Sequence, residues 1–168
     1  MHDTSLGRMG EFVRKYLNPD EHLKILDVGS LQVGNDNTYR HMFNRPNWKY
    51  FGLDLQSGGN VDIVAKSIED WGVEPESFDV VISGQCLEHV KDTKEWIKQI
   101  DKCLKNNGLV CIIAPWSWLQ HRCPIDCWRI FPDGMEFLLK DVCKFEILEN
   151  FMKETDCVGI ARKGGKNG

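Results

Sequence analysis

Along the chain, short uninterrupted apolar runs alternate with segments whose apolar residues recur at helical spacing. Residues 5–17 place Leu6, Met9, Val13, Tyr16 and Leu17 on one helical face, and Asn18-Pro19 stops that helix. The apolar run at 24–29, closed by Gly29, predicts a first strand. Asp36-Asn37-Thr38 predicts the cap of a helix carrying Tyr39, Met42 and Phe43, which residues 44–47 with Pro46 bring to an end. Residues 49–54 predict a second strand, 56–60 a turn, and 61–65 a short third strand followed by at most one helical turn. Residues 78–83 predict a fourth strand. Residues 92–105 put Trp96, Ile97, Ile100 and Leu104 on one face of an amphipathic helix, ended by Asn106-Asn107-Gly108. Residues 109–114 predict a fifth strand, stopped by Pro115. An irregular stretch of 17 residues with three tryptophans follows. Pro132-Asp133 then opens a helix to about Lys140, and residues 145–150 and 156–162 predict two last strands joined as a hairpin.

Connections of helix length between apolar runs imply a mostly parallel sheet covered on both faces, made mixed by the final hairpin. With 168 residues, 42% of them apolar, the chain suffices for one domain and is too short for two. The expected division is an N-terminal helix in 1–19, a core in 20–162 and a loose tail in 163–168. The formal charge of −4 argues against nucleic acid as a partner, which calls for a basic face. No apolar run approaches the ~20 residues of a membrane span. Residues 1–4 lack the basic and apolar regions of a secretory signal. The seven cysteines are odd in number and mostly sit inside apolar runs, which predicts reduced thiols and a cytoplasmic protein.

The first constellation with chemical content is Leu26-Asp27-Val28-Gly29 at the end of the first strand, with Asp54 ending the second. In an open parallel sheet, ligands bind beyond the carboxyl ends of the strands. Gly29 permits a sharp turn and a close backbone approach, and a carboxylate closing the second strand can accept hydrogen bonds from both ribose hydroxyls. The 25-residue interval from Gly29 to Asp54 is close to the ~20 of dinucleotide sites. A dinucleotide loop, however, follows G-x-G-x-x-G, and Leu31 stands where pyrophosphate would need the second glycine. A ligand with ribose and no pyrophosphate fits better than a nicotinamide or flavin dinucleotide.

Four segments, at 25–30, 50–54, 78–90 and 105–110, carry a resemblance to the class I S-adenosylmethionine-dependent methyltransferases of type 11, over residues 20–162. Of these, Phe78-Asp-Val-Val-Ile-Ser-Gly-Gln-Cys-Leu-Glu-His-Val90 is the most specific. The resemblance implies a Rossmann-like α/β fold, with a doubly wound sheet of about seven strands whose last strand is antiparallel. It implies S-adenosyl-L-methionine as cofactor. Gly29 and its neighbours Asp27 and Ser30 would contact the methionine part, and Asp54 would hold the ribose. Leu55 and Ile68, with Ser67, would enclose the adenine, and Gly84, Gln85 and Cys86 would line the methyl-donor end. The glycine-rich loop resembles a longer variant in which Gly34-Asn35 and a polar helix cap replace the later glycines.

The segment after the fifth strand mixes Trp116, Trp118, Trp128 and Phe131 with His121, Arg122, Asp126 and Arg129. Long irregular segments of this kind are often functional, and this one follows the fifth strand at the cofactor's sheet edge. It resembles an H-x-x-P-x-D-x-W-R segment found in one methyltransferase subgroup with members in glycan and natural-product pathways. Trp116, Arg122, Asp126, Trp128 and Arg129 are the expected acceptor-binding residues. Glu88-His89 reads either as a base near the methyl group or as a polar pair stabilising the start of the next helix. The set His121-x-Cys123-x-x-x-Cys127 offers three ligand types without the paired spacing of a structural zinc site, so no metal is expected. Among the five histidines, His121 is the expected acid/base group: His2 is terminal, His22 precedes the first strand, and His41 lies on the first crossover.

The sequence thus predicts an S-adenosylmethionine-dependent enzyme acting on a small-molecule acceptor, monomeric or homodimeric. The acceptor group would be a hydroxyl of a glycan or natural-product intermediate. Its rivals are a non-catalytic module binding the same cofactor, a nicotinamide-dependent oxidoreductase, and a nucleic-acid methyltransferase, for which the acidic balance leaves little surface.

Overall fold

A computed structural model describes residues 3–34 and 36–165. Asn35 and the last three residues of the tail, which belong to two of the expectations above, lie outside the described residues. The chain runs through helix α1 (Asp3–Tyr16), strands β1 (Leu23–Val28), β2 (Trp48–Asp54), β3 (Ile63–Val64) and β4 (Phe78–Gly84), and helix α2 (Thr93–Cys103). It continues through β5 (Leu104–Pro115), helix α3 (Pro132–Glu136), β6 (Glu146–Lys153) and β7 (Asp156–Arg162). Single helical turns lie at Tyr39–Phe43 and Leu87–His89, and α3 runs on into a wider π-type turn at Phe137–Val142.

The seven strands form one sheet in the order β3-β2-β1-β4-β5-β7-β6. Parallel pairing joins β1 to β2 and β4, β2 to β3, and β4 to β5. Only β7 runs against its neighbours, pairing antiparallel with β5 and with β6. This is the mixed α/β sheet expected from the sequence, last strand included.

Alternation along the central strands sends side chains to both faces. Ile25, Val80, Ile82, Cys111 and Ile113 pack under α1, where Met9, Phe12, Val13 and Leu17 are buried. Leu26, Val81, Val110 and Ile112 pack under α2 and α3, against Trp96, Ile97, Ile100 and Met135. Parallel strands need this cover on both sides, because their apolar residues alternate between two buried faces.

Three expectations give way here. The helix predicted after Asp36-Asn37-Thr38 is a single 3-10 turn, and the Thr38 side chain makes no capping bond. Five residues before Asn44 and Pro46 are too few to propagate an α-helix, so tertiary contacts hold the turn. Tyr39 and Phe43 are fully buried; Tyr39 meets the Ser5 hydroxyl, and Phe43 packs on Trp48 and Tyr50. In addition, α2 ends at Cys103, ahead of Asn106-Asn107-Gly108, because Leu104 is already extended and paired with Phe78. The polar residues form an irregular step inside β5, with Asn107 in the left-handed region and tied to the Lys163 carbonyl at 3.0 Å. The third strand shrinks to two residues.

Gly84, at the carboxyl end of β4, lies against Tyr39, and a Cβ there would fall 1.8 Å from the Tyr39 hydroxyl oxygen. Gly84→Ala is therefore expected to lose roughly 1–3 kcal/mol of stability by overpacking. Combining it with Tyr39→Leu should cost less than the sum of the two single changes, as denaturant unfolding of the four proteins will show.

Candidate functional site

Because β1, β2, β4 and β5 run parallel, their carboxyl ends at Val28, Asp54, Gly84 and Pro115 share one edge of the sheet. At that edge Gly29 adopts φ +78, and its N–H and that of Ser30 both donate to the Leu53 carbonyl, at 2.9 and 3.1 Å. A Cβ on Gly29 would lie 2.3 Å from the Cys86 sulfur. The turns after β1 and β4 therefore touch, and the glycine is required by the fold before any ligand is considered. Asp54 is half-buried; one carboxylate oxygen accepts the Leu31 N–H at 3.1 Å and the other the Gln56 N–H at 3.2 Å. Each oxygen keeps a lone pair for a further donor.

Behind this edge is a polar network that the sequence did not announce. Asp27 is fully buried and accepts a hydrogen bond from the Tyr50 hydroxyl. Asn60, in the left-handed region, donates to that hydroxyl at 3.2 Å and to the Ser30 carbonyl at 2.9 Å, and its own carbonyl accepts the Ser30 hydroxyl at 3.1 Å. Arg40 lies over the Tyr50 ring and donates to the Asn60 side chain at 2.7 Å. Gly52 makes this possible, since a Cβ there would fall 1.9 Å from the Asn60 carbonyl oxygen. Burial pushes the Asp27 carboxyl up to about 7, while the Tyr50 hydroxyl, also buried, is pushed well above its usual range. In the sequence Asn60 is only the end of a turn, Tyr50 is the first residue of the 50–54 segment with no role of its own marked, and Arg40 carries no motif.

On the adenine side, Leu55 is 57% exposed just past Asp54, and Ile68 is half-buried against the core. The Ser67 hydroxyl closes a turn by donating to Glu69 at 2.7 Å and accepting the Glu69 and Asp70 N–H groups. At the end of β4, Gln85 takes a left-handed conformation and anchors itself on the Ile113 carbonyl and the Asp156 carboxylate, at 2.8 and 2.9 Å. Burial pushes the Cys86 thiol up, so it is held protonated.

The segment 116–131 is irregular, as expected, and much of its polar chemistry turns inward. Arg129 forms a fork with Asp126, at 2.7 and 2.8 Å, and also donates to the carbonyls of Trp118, Leu119 and Trp128. The Asp126 carboxyl is held well below the usual range by that guanidinium. Trp116 donates to the Glu154 carbonyl and Trp128 to the Val90 carbonyl, at 2.9 and 2.7 Å. Four of the five expected acceptor-binding residues thus hold the segment in shape, and Arg122 is exposed. The N–H groups of Cys127 and Trp128 both donate to the Glu88 carbonyl, at 2.7 and 3.2 Å, which seats the segment on the turn after β4. His121 is thereby brought beside Glu88 and His89: its Nε2 lies 3.9 Å from Glu88 Oε1, and the two imidazole rings meet edge to face at 4.9 Å. Glu88 is fully buried, and burial pushes its carboxyl up to about 7. Glu88 and His89 lie in the Leu87–His89 turn ahead of α2, and the start of that helix is capped by Asp92 instead.

The model of a family described as a methyltransferase domain matches residues 26–112, just over half of the chain. The chain belongs to this family, the class I S-adenosylmethionine-dependent methyltransferases. A 2-methyl-6-phytyl-1,4-hydroquinone methyltransferase of Oryza sativa subsp. japonica is 30% identical over 81 residues, which are 46% of this chain and 24% of that protein. The chain thus spans about a quarter of that curated relative. Among solved structures, an S-adenosylmethionine-dependent methyltransferase from Methanosarcina mazei matches with a TM-score of 0.70 at 17% identity, over 92% of this chain and 98% of its own. The 1,6-didemethyltoxoflavin-N1-methyltransferase of Burkholderia thailandensis, solved with its substrate and S-adenosylhomocysteine, matches with a TM-score of 0.73 at 17% identity. That match covers 96% of this chain and 79% of the other. The residues present fit the family's cofactor: a carboxylate with free lone pairs ends β2, an exposed apolar side chain follows it, and a tight glycine turn faces Cys86. Among the described residues no helix is long and apolar enough to cross a membrane.

Folding raises the Asp27 carboxyl from 3.8 to about 7, so the folded chain keeps this proton at pH values where the unfolded chain has lost it. The site therefore costs stability progressively as pH rises through that window. Asp27→Asn, with no proton to lose, is expected to gain on the wild type in thermal melts between about pH 4 and pH 8; a constant difference would refute the buried-acid assignment.

Proposed function

We propose that the chain transfers a methyl group from S-adenosylmethionine to a small-molecule acceptor, a hydroxyl of the glycan or natural-product type. The observation that carries this reading is that the segment bearing His121 is seated on Glu88, just past the 84–86 turn at the carboxyl end of β4. Bound S-adenosylmethionine supplies a methyl group already activated on a sulfonium. The residues of the chain then have to bind, align and exclude water.

In this reading Asp54 accepts the ribose hydroxyls, Leu55, Ser67 and Ile68 enclose the adenine, and Asp27, Gly29 and Ser30 shape the backbone around the methionine part. Gly84, Gln85 and Cys86 line the methyl end. Trp118, Leu119, Trp128 and Phe131, all substantially exposed, offer apolar cover for an acceptor, and Arg122 offers it a positive charge. Trp116, Asp126 and Arg129 serve the acceptor by fixing that cover. His121, with its side chain 35% exposed, is the member of the Glu88–His89–His121 group that reaches an acceptor and receives its proton.

Removing the Asp54 carboxylate deletes a charge-assisted pair of bonds worth about 1.5–3 kcal/mol, or roughly ten- to a hundred-fold in affinity. Asp54→Ala should weaken S-adenosylhomocysteine binding by that factor in calorimetry; a folded variant with wild-type affinity overturns the site. His121→Ala should leave this affinity near wild type and lower turnover by ~10²–10⁴-fold, measured with labelled cofactor on an accepted substrate. Turnover that survives the change removes His121 from the chemistry.

A further inference from the structure

Glu88 is fully buried, and neither of its carboxylate oxygens meets a hydrogen-bond donor from another residue among those described. A carboxylate taken out of water and left unpaired is costly, and proteins normally pair such a group or give it a metal. Its nearest polar neighbours are Nε2 of His89, at 3.7 Å from Oε1, and Nε2 of His121, at 3.9 Å. Both separations are too long for hydrogen bonds.

The other ring nitrogens explain why. His89 Nδ1 faces the Ile125 carbonyl, and His121 Nδ1 faces the Leu119 carbonyl at 3.2 Å, with Asp126 Oδ2 at 3.7 Å. A carbonyl only accepts, so each Nδ1 carries a hydrogen, and in the neutral ring Nε2 then presents a lone pair. The cluster therefore gathers three acceptors, with their ligand atoms all within 4.8 Å of one another. With the carboxyl ionised, three lone pairs converge without a donor and call for a positive charge between them. The Arg129 charge reaches Glu88, but its hydrogen bonds go to Asp126 and to main-chain carbonyls and none to the cluster.

We propose that Glu88, His89 and His121 bind a divalent transition-metal cation. Two imidazole nitrogens and one carboxylate suit zinc and its neighbours in the first transition row, whereas calcium and magnesium take oxygen ligands. Tetrahedral coordination at ~2.1 Å places donors about 3.4 Å apart, so the two carboxylate–imidazole separations of 3.7 and 3.9 Å need to shorten by about 0.3–0.5 Å. The carbonyls on both Nδ1 atoms are the outer contacts that fix imidazole ligands in the required tautomer. Cys123 and Cys127, the other ligand types in this loop, are exposed and stand outside the cluster.

Three protein ligands leave a coordination position open, as in catalytic rather than structural sites. His121 is the more exposed of the two imidazoles; with its Nε2 held as a ligand, an acceptor hydroxyl bound to the cation would give up its proton to water rather than to His121. The cation site stands on the side-chain geometry; its use in activating an acceptor rests on the methyl-transfer reading.

The test uses the full chain, freed of metal with a chelator, titrated with Zn²⁺ in a calorimeter and with Co²⁺ in a spectrophotometer. Saturation at one equivalent is expected, with ligand-field absorption of cobalt and no thiolate charge-transfer band. His121→Ala and Glu88→Gln should each weaken binding at least ~tenfold, and a Cys123→Ser/Cys127→Ser chain should bind as the wild type does. S-adenosylhomocysteine affinity, read in parallel, reports the fold of each variant. The proposal is overturned if wild type that binds S-adenosylhomocysteine shows no saturable metal binding. It is equally overturned if His121→Ala leaves the affinity unchanged, or if the cysteine pair proves to be the ligand. One equivalent of cobalt held by the histidines without S-adenosylhomocysteine binding would uphold the cation site and sink the methyl-transfer reading.

Discussion

The contact between Gly29 and Cys86 is the constraint on which the rest of the molecule turns. It brings the loops after β1 and β4 so close that no Cβ fits between them. That closeness demands a residue tolerant of positive φ at 29, and it sends the chain after β1 away from β4 and toward the end of β2. There the Leu31 N–H meets Asp54. The carboxylate at the end of β2 is thus positioned by a steric fact at the end of β1. The same crowding recurs one residue before Gln85, where Gly84 leaves space for Tyr39. Two glycines, one just past β1 and one ending the adjacent β4, so define the floor of the edge, and the elements above it are arranged around that floor.

Polar groups are distributed unequally across this edge. On the ribose side they form a closed network in which Asp27, Tyr50, Asn60, Ser30 and Arg40 satisfy one another, and closed networks of this kind rigidify what they surround. On the other side Glu88 keeps two unsatisfied oxygens beside two imidazoles. The contrast matters because both carboxyls are buried to the same degree. One is stabilised by a phenol and an arginine held near it, and the other faces two lone pairs. Structural order therefore belongs to the first cluster and unmet chemical demand to the second.

Much of this was legible in the sequence where one residue type in one local pattern decides the outcome. The apolar runs placed the strands, Gly29 and Asp54 marked the carboxyl edge at the right spacing, and Pro115 and Pro132 bounded the irregular segment. What escaped depends on partners distant in the chain. Tyr39 and Phe43 looked like one face of a helix, yet their burial against Gly84 and Trp48 is what holds a single turn. Leu104 looked like the end of an amphipathic stripe, yet pairing with Phe78 draws it into the sheet. Asn60 has no local signature, because its role is set by a glycine at 52 and a tyrosine at 50 on the neighbouring strand. Asp126 and Arg129 were expected to bind an acceptor, yet three residues apart they reach each other first. The meeting of His121 with Glu88 spans 33 residues and is created by two backbone N–H groups that dock on the Glu88 carbonyl, which no side-chain pattern encodes.

The manner in which Arg129 holds segment 116–131 has a consequence for how such a protein diversifies. Besides Asp126, the guanidinium grips main-chain carbonyls at 118, 119 and 128, and the segment is seated on Glu88 through main-chain N–H groups. Main-chain contacts are indifferent to the identity of the side chains they join. The outward-pointing residues at 119 and 122 can accordingly be exchanged by mutation while the frame keeps its form. A lineage carrying this frame has a route to new molecular preferences that leaves the inherited reaction core untouched.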